Sequence, residues 1–159
     1  MKILRFHSHS TGHYSTGISA VGIACLLSFV LSACHESLPD RAARESKEYT
    51  EKFCPTPVIN DERTDSMSFD KASLTMNYYR TLSGKADNPK VILFNASKLR
   101  SVLLKALIDD PSSKAYKDAG FNFHFLYRSA SHKGKTLFEV TYTPKNYKAA
   151  HAGNKHGEV

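Results

Sequence analysis

Residues 121–142 read FNFHFLYRSASHKGKTLFEVTY. Phe121, Phe123, Phe125 and Tyr127 alternate with Asn122, His124, Leu126 and Arg128, the period-2 pattern of a strand with one buried face. His132-Lys133-Gly134-Lys135 supplies a turn, and Phe138, Val140 and Tyr142 answer from the returning arm. Pro144 closes that arm, because proline cannot donate to a ladder. The stretch predicts a β-hairpin whose inner face is aromatic.

Working towards the N-terminus, a second alternating pair appears. Thr64 to Phe69 and Leu74 to Leu82 flank Asp70-Lys71-Ala72-Ser73, a turn-forming set. Met67 and Phe69 match Leu74, Met76, Tyr78 and Leu82 on one side, while Thr75, Asn77, Tyr79 and Thr81 face away. Between the hairpins, Asn88-Pro89 opens an apolar segment with a cap-and-proline start signal. Val91, Ile92, Asn95, Leu99, Val102, Leu103, Ala106 and Leu107 recur at spacings of three and four, which predicts one helix to about Asp109. A short strand over 91–94 followed by a helix from Asn95 is the alternative. Asp110-Pro111 repeats the signal for a brief helix that Gly120 ends. Ahead of the first hairpin, Asp40 can cap a helix to about Phe53, with Tyr49 and Phe53 as an apolar stripe and Pro55 and Pro57 beyond its end.

The order helix, hairpin, helix, hairpin predicts an α+β fold: a four-stranded antiparallel sheet from two hairpins with helices packed on one face. The single domain spans 40–147. A small, polar tail over 148–159 is expected to be disordered.

The first 33 residues differ in kind. Gly17 to Cys34, GISAVGIACLLSFVLSAC, is apolar and uncharged, and Lys2 and Arg5 precede it. That is the build of a secretory signal, at the lower edge of the length that spans a bilayer. An ordinary signal-peptidase cut before Cys34 would put bulky Leu31 where a small residue is wanted. Leu31-Ser32-Ala33-Cys34 resembles instead the lipobox of bacterial lipoproteins. The resemblance covers these four residues and the apolar run, and so implies a processing class and no fold. It implies cleavage before Cys34, a diacylglyceryl thioether on its sulfur and acylation of its new amino group. Two or three acyl chains give stable anchoring where one does not. In Gram-negative members of that class, Asp after the lipidated Cys tends to retain the protein in the inner membrane. His35 stands there, which implies the outer membrane, periplasmic side. An uncleaved membrane anchor is the competing reading. Residues 34–39 then form the lipidated Cys and a tether.

The chain carries 22 basic and 15 acidic residues, net +7, and without Lys2 and Arg5 the remainder keeps +5. That charge suits an anionic membrane surface or acidic glycan and does not by itself indicate nucleic acid, which an exported location also disfavours. With Cys25 in the leader and Cys34 acylated, Cys54 has no partner for a disulfide and reads as a small buried hydrophobe.

No P-loop, dinucleotide fingerprint, paired-cysteine motif, zinc-protease motif or nucleophile elbow is present. His35, His151 and His156 lie in flexible segments that make poor metal sites. Asp61, Glu62 and Asp65 lack the ordered spacing of a calcium loop and read as a solvated acidic loop. Asn95-Ala96-Ser97 is a glycosylation pattern with no role in a bacterial envelope. His124 lacks a nucleophile to serve as base for. For an enzyme acting on cell-wall glycans, Glu139 with Asp109 or Asp110 are the available carboxylates. The expectation is a non-enzymatic interaction module of the cell envelope, without a cofactor. Its lipid partner is the bilayer through acylated Cys34, and its protein or polymer partner meets an open sheet face formed by Tyr79, His124, Leu126, Arg128 and Glu139, whose mixed composition suits an interface. An inhibitor or accessory of an envelope enzyme or secretion system is the alternative.

Overall fold

A computed structural model describes residues 36–148. Its elements are α1 (Leu38–Phe53), β1 (Glu62–Asp70), β2 (Thr75–Leu82), α2 (Pro89–Asp109), α3 (Lys114–Asp118), β3 (Asn122–Ser129) and β4 (Thr136–Tyr142), with helical backbone resuming at Pro144. The four strands form one sheet in the order β1-β2-β3-β4. The α+β class, the two hairpins and the single long α2 agree with the sequence expectation.

One pairing corrects it. Both hairpins are antiparallel, but β2 and β3 run parallel, so the sheet is mixed. The reason lies in the connection between them. A parallel return needs a crossover of a dozen residues or more, usually helical, and α2 with α3 provides it. Alternation reports which face a side chain takes and is silent about the direction of the neighbouring strand.

The helix-covered face carries Met67, Phe69, Met76, Tyr78, Phe123, Phe125, Tyr127, Phe138, Val140 and Tyr142 in registered rows. Rings pair across strands: Tyr78 stacks on Phe125 with centroids 4.7 Å apart, and Phe69 on Phe121 at 5.0 Å. Such contacts add to the burial term that dominates stability.

Helix α1 starts three residues earlier than expected. Ser37 is the N-cap, its hydroxyl accepting from the Asp40 amide, and Asp40 stands in the first turn. Pro39 decides between the two cap-competent residues, because proline fits a first turn, where its missing N–H costs nothing. The buried seam of α1 is Ala42 and Ser46, small residues that let the helix lie close to the sheet, while Tyr49 and Phe53 form a tilted ring pair beside them. Thr50 Oγ1 accepts from the Met67 amide and donates to the Met67 carbonyl, both at 2.8 Å. That hydroxyl occupies the free edge of β1 and blocks another strand from docking there.

Helix α2 is capped by Asn88, whose side chain accepts from the Lys90 and Val91 amides, with Pro89 in the first turn. At the other end Lys117 Nζ donates to the carbonyls of Leu107, Ile108 and Asp110 at 2.6, 2.7 and 2.9 Å. These are among the carbonyls a helix leaves unpaired at its C-terminus, where a cation is also favoured by the helix dipole. Hydroxyls fasten the remaining elements: Tyr116 donates to Glu45, Tyr142 to the Arg100 carbonyl and Tyr147 to the Phe121 carbonyl.

Burial pushes the Tyr78 and Tyr116 hydroxyls up to about 12, and raises Tyr127, Tyr142 and Tyr147 as well. An unfolded tyrosine ionises near 10. Between about 10 and 12 the unfolded chain has therefore released protons that the folded domain still holds, and stability falls as pH rises through that window. Alkaline titration should show tyrosinate absorbance from these residues appearing together with loss of the circular dichroism signal. A smooth tyrosine titration that is complete while the secondary-structure signal persists would contradict this placement.

Candidate functional site

The face of the sheet opposite the helices is built by the other half of each alternation. Tyr79 of β2, Leu126 of β3 and Glu139 of β4 stand in one cross-strand row. His124 lies one row away opposite Asn77 and Thr141, and Arg128 one row away on the other side opposite Thr81 and Thr136. The five residues expected on an open sheet face are thus adjacent on it.

Their contacts are specific. His124 Nδ1 lies 3.0 Å from Asn77 Oδ1, and His124 Nε2 lies 2.9 Å from Glu139 Oε1. The Asn77 amide nitrogen donates to the Thr75 carbonyl, which turns its oxygen towards the imidazole. The Arg128 guanidinium carbon sits 5.8 Å from the Tyr79 ring centroid, within cation–π range. Leu126 is 9% exposed and the His124 side chain 16%, whereas Glu139 and Arg128 remain open to solvent. The arrangement is a nearly covered leucine amid aromatic and charged groups. Beside it, Asp65 at a bulge of β1 accepts from the Thr81 hydroxyl and from Arg63 Nε.

What this face can do chemically follows from the imidazole. A general base needs a free nitrogen within reach of the proton it takes. Both nitrogens of His124 face oxygen acceptors, so neither is offered to a substrate, and among the described residues no serine or cysteine stands at either one. The glycan-enzyme pairing is not formed. Glu139 is on the open face, while Asp109 and Asp110 end α2 in the helix layer. Asp109 pairs with Lys105, and Asp110 accepts from the Ser112 amide and hydroxyl.

A depression of about 380 Å³ lies between the end of α2, α3 and Tyr147. Of the charged groups lining it, Lys114 pairs with Asp118, and Lys117 caps α2. The acidic residues read as a solvated loop are also engaged. Asp61 accepts from the Lys85 amide, Glu62 pairs with Arg80, and Asp65 is held as described. Among the described residues no group of three His, Cys, Asp or Glu side chains is placed to hold a metal ion. Cys54 is half-buried, and burial raises its thiol, which disfavours the reactive thiolate. Cys34, His35, His151 and His156 lie outside the described residues. Among the described residues no helix is long and apolar enough to cross a membrane.

Sequence reasoning passed over Arg80. It belongs to the helix-covered face, where Nη1 donates to Glu62 and to the Tyr127 hydroxyl, and its guanidinium lies within 6 Å of three rings, at 5.9 Å from Tyr78, 5.6 Å from Phe125 and 5.7 Å from Tyr127. The alternation Met76, Tyr78, Arg80, Leu82 is the signal that would have found it.

Residues 37–138 match the family described as "Domain of unknown function (DUF8479)", and the chain belongs to that family. No curated protein matches the sequence significantly. Solved structures share the fold, two of them as follows. A protein from Pseudomonas aeruginosa, provisionally described as secreted, superposes with a TM-score of 0.55 at 9% identity, over 70% of this chain and 97% of the other. EpsS, the pilotin of the Vibrio vulnificus type 2 secretion system, superposes with a TM-score of 0.51 at 11% identity, over 69% of this chain and 91% of the pilotin.

Proposed function

We propose that this member of the family is a non-enzymatic interaction module of the bacterial envelope, held at the outer membrane by acylated Cys34 and presenting its open sheet face to an envelope protein. The observation that carries the reading is the patch itself. Tyr79, His124, Leu126, Arg128 and Glu139 are brought together on the face of the sheet opposite the helices, with His124 held between Asn77 and Glu139 and Arg128 over the Tyr79 ring. Aromatic and arginine side chains around a dehydrated aliphatic centre are the composition of an interface hot spot.

Service as an accessory factor of a secretion system is the more specific form of this reading, and the likeness to a type 2 secretion pilotin over 91% of that protein favours it. The likeness is one of fold, so it ranks the possibilities for the partner and leaves the patch as the argument.

The test is cross-linking in intact envelopes. The wild-type chain should yield a discrete adduct that Tyr79→Ala with Arg128→Ala reduces by roughly tenfold or more, as loss of two hot-spot side chains does. Lys135→Ala, at the β3–β4 turn, should leave it unchanged. An adduct indifferent to the double variant ends this assignment of the face. Anchoring is tested separately: Cys34→Ser should abolish palmitate labelling and release the protein from membranes, and mass spectrometry finding an unmodified Cys34 sulfur would remove the anchor.

A further inference from the structure

We infer that the outward side of α2 is a docking strip for an acidic amphipathic helix of another protein. This strip is separate from the sheet patch and from the argument made for it. Val91, Phe94, Lys98, Val102 and Lys105 recur at steps of three and four and are all exposed, with Phe94 at 90% and Val102 at 55%. The core does not need them, because Ile92 and Leu107 are buried on the other side of the helix with Leu99 and Leu103 packed beside them. A surface helix is expected to turn polar residues outward, and apolar side chains aligned along its exposed side mark an interaction surface.

Spacing selects the shape of the occupant. Knobs at three-four steps over about 21 Å of the axis, from Val91 to Lys105, present the seam that a second helix fills. Charge selects its sign. Lys90, Lys98, Arg100 and Lys105 lie along α2, whose one acid, Asp109, pairs with Lys105. Lys90 and Lys98 have no carboxylate partner among the described residues. Carboxylates flanking an apolar seam on the partner would complement them.

The same charge disfavours a second copy as the occupant, because pairing two such strips in either direction about their centre sets Lys98 against Lys98, a like-charge contact.

The experiment uses the full-length protein in nanodiscs of neutral lipid and two fluorescent helical peptides as long as α2. Both peptides carry leucine at the seam; one carries glutamate at the flanking positions and the other lysine. The glutamate peptide should bind, by fluorescence anisotropy, at least about tenfold more tightly than the lysine peptide. Phe94→Asp and Lys98→Glu should each weaken it by about tenfold or more, and the exposure of both residues leaves the fold, checked by circular dichroism, intact. Equal binding of the two peptides, no binding, or affinity unchanged in Phe94→Asp overturns the inference. So does sedimentation showing self-association that Phe94→Asp abolishes, or co-flotation with phosphatidylglycerol vesicles that the same variant abolishes.

Discussion

Phe123→Ala is expected to lower the stability of the domain by about 3–5 kcal/mol, the range for removing a buried aromatic ring. Phe123 is 0% exposed on an interior strand, registered between Met76 of β2 and Tyr142 of β4, with the Tyr147 ring edge-on at 5.9 Å. A cavity opened there cannot close easily. Its walls belong to strands paired on both sides and to Tyr147, which is itself fixed by a hydrogen bond to the Phe121 carbonyl. Domains of this size are stable by about 5–15 kcal/mol, so one substitution consumes a large part of the margin.

Urea unfolding followed by circular dichroism measures it. The midpoint should fall with little change in slope, because the surface exposed on unfolding is nearly the same. Phe53→Ala supplies the contrast, since that ring is 61% exposed and its loss should change stability by about 0.5 kcal/mol or less. Equal costs for the two substitutions would mean that the aromatic rows do not form the centre of the fold.

Much of this was legible because β-structure writes its faces into the sequence with a period of two. Phe121 to Arg128 announced both the core row and the open row, and the residues named for the open face prove to be neighbours across three strands. Turn chemistry was equally plain. Asp70 accepts from the Ala72 amide and the Ser73 hydroxyl, and Gly134 adopts a φ of 81°. What stayed hidden depends on which elements become neighbours. The parallel pairing of β2 with β3 is a property of a connection. The His124–Glu139 contact runs diagonally between strands and needs the register. Lys117 caps α2 from another helix, ten residues beyond the first carbonyl it binds. Ser37 and Asp40 are both competent caps, and only the position of Pro39 separates them.

Arg80 shows the same limit in energetic form. Arg80→Ala should cost about 2–3 kcal/mol, and Arg80→Met combined with Glu62→Leu should come within about 1 kcal/mol of the wild type. The Arg80 side chain is three-quarters withdrawn from solvent, its guanidinium lying among Tyr78, Phe125 and Tyr127, and its partner Glu62 is 35% exposed. Taking a cation from water is offset here by one carboxylate, one hydroxyl and the faces of three rings, while Arg80 Nε has no protein partner. Removing the arginine alone forfeits its packing and leaves Glu62 and the Tyr127 hydroxyl without a donor. Because Glu62 still touches water, the penalty stays below that of a fully buried pair. Replacing both partners with apolar residues removes the desolvation and the attraction together, and methionine refills the space between the rings with a sulfur that packs well on aromatic edges. The wild type, Arg80→Met, Glu62→Leu and the double variant form a double-mutant cycle, read by urea unfolding, with an expected coupling of about 1 kcal/mol or more. Strictly additive costs would show that the two charges do not act as a pair. A double variant as damaged as Arg80→Ala would show that the charge, and not the volume it fills, holds this end of the core.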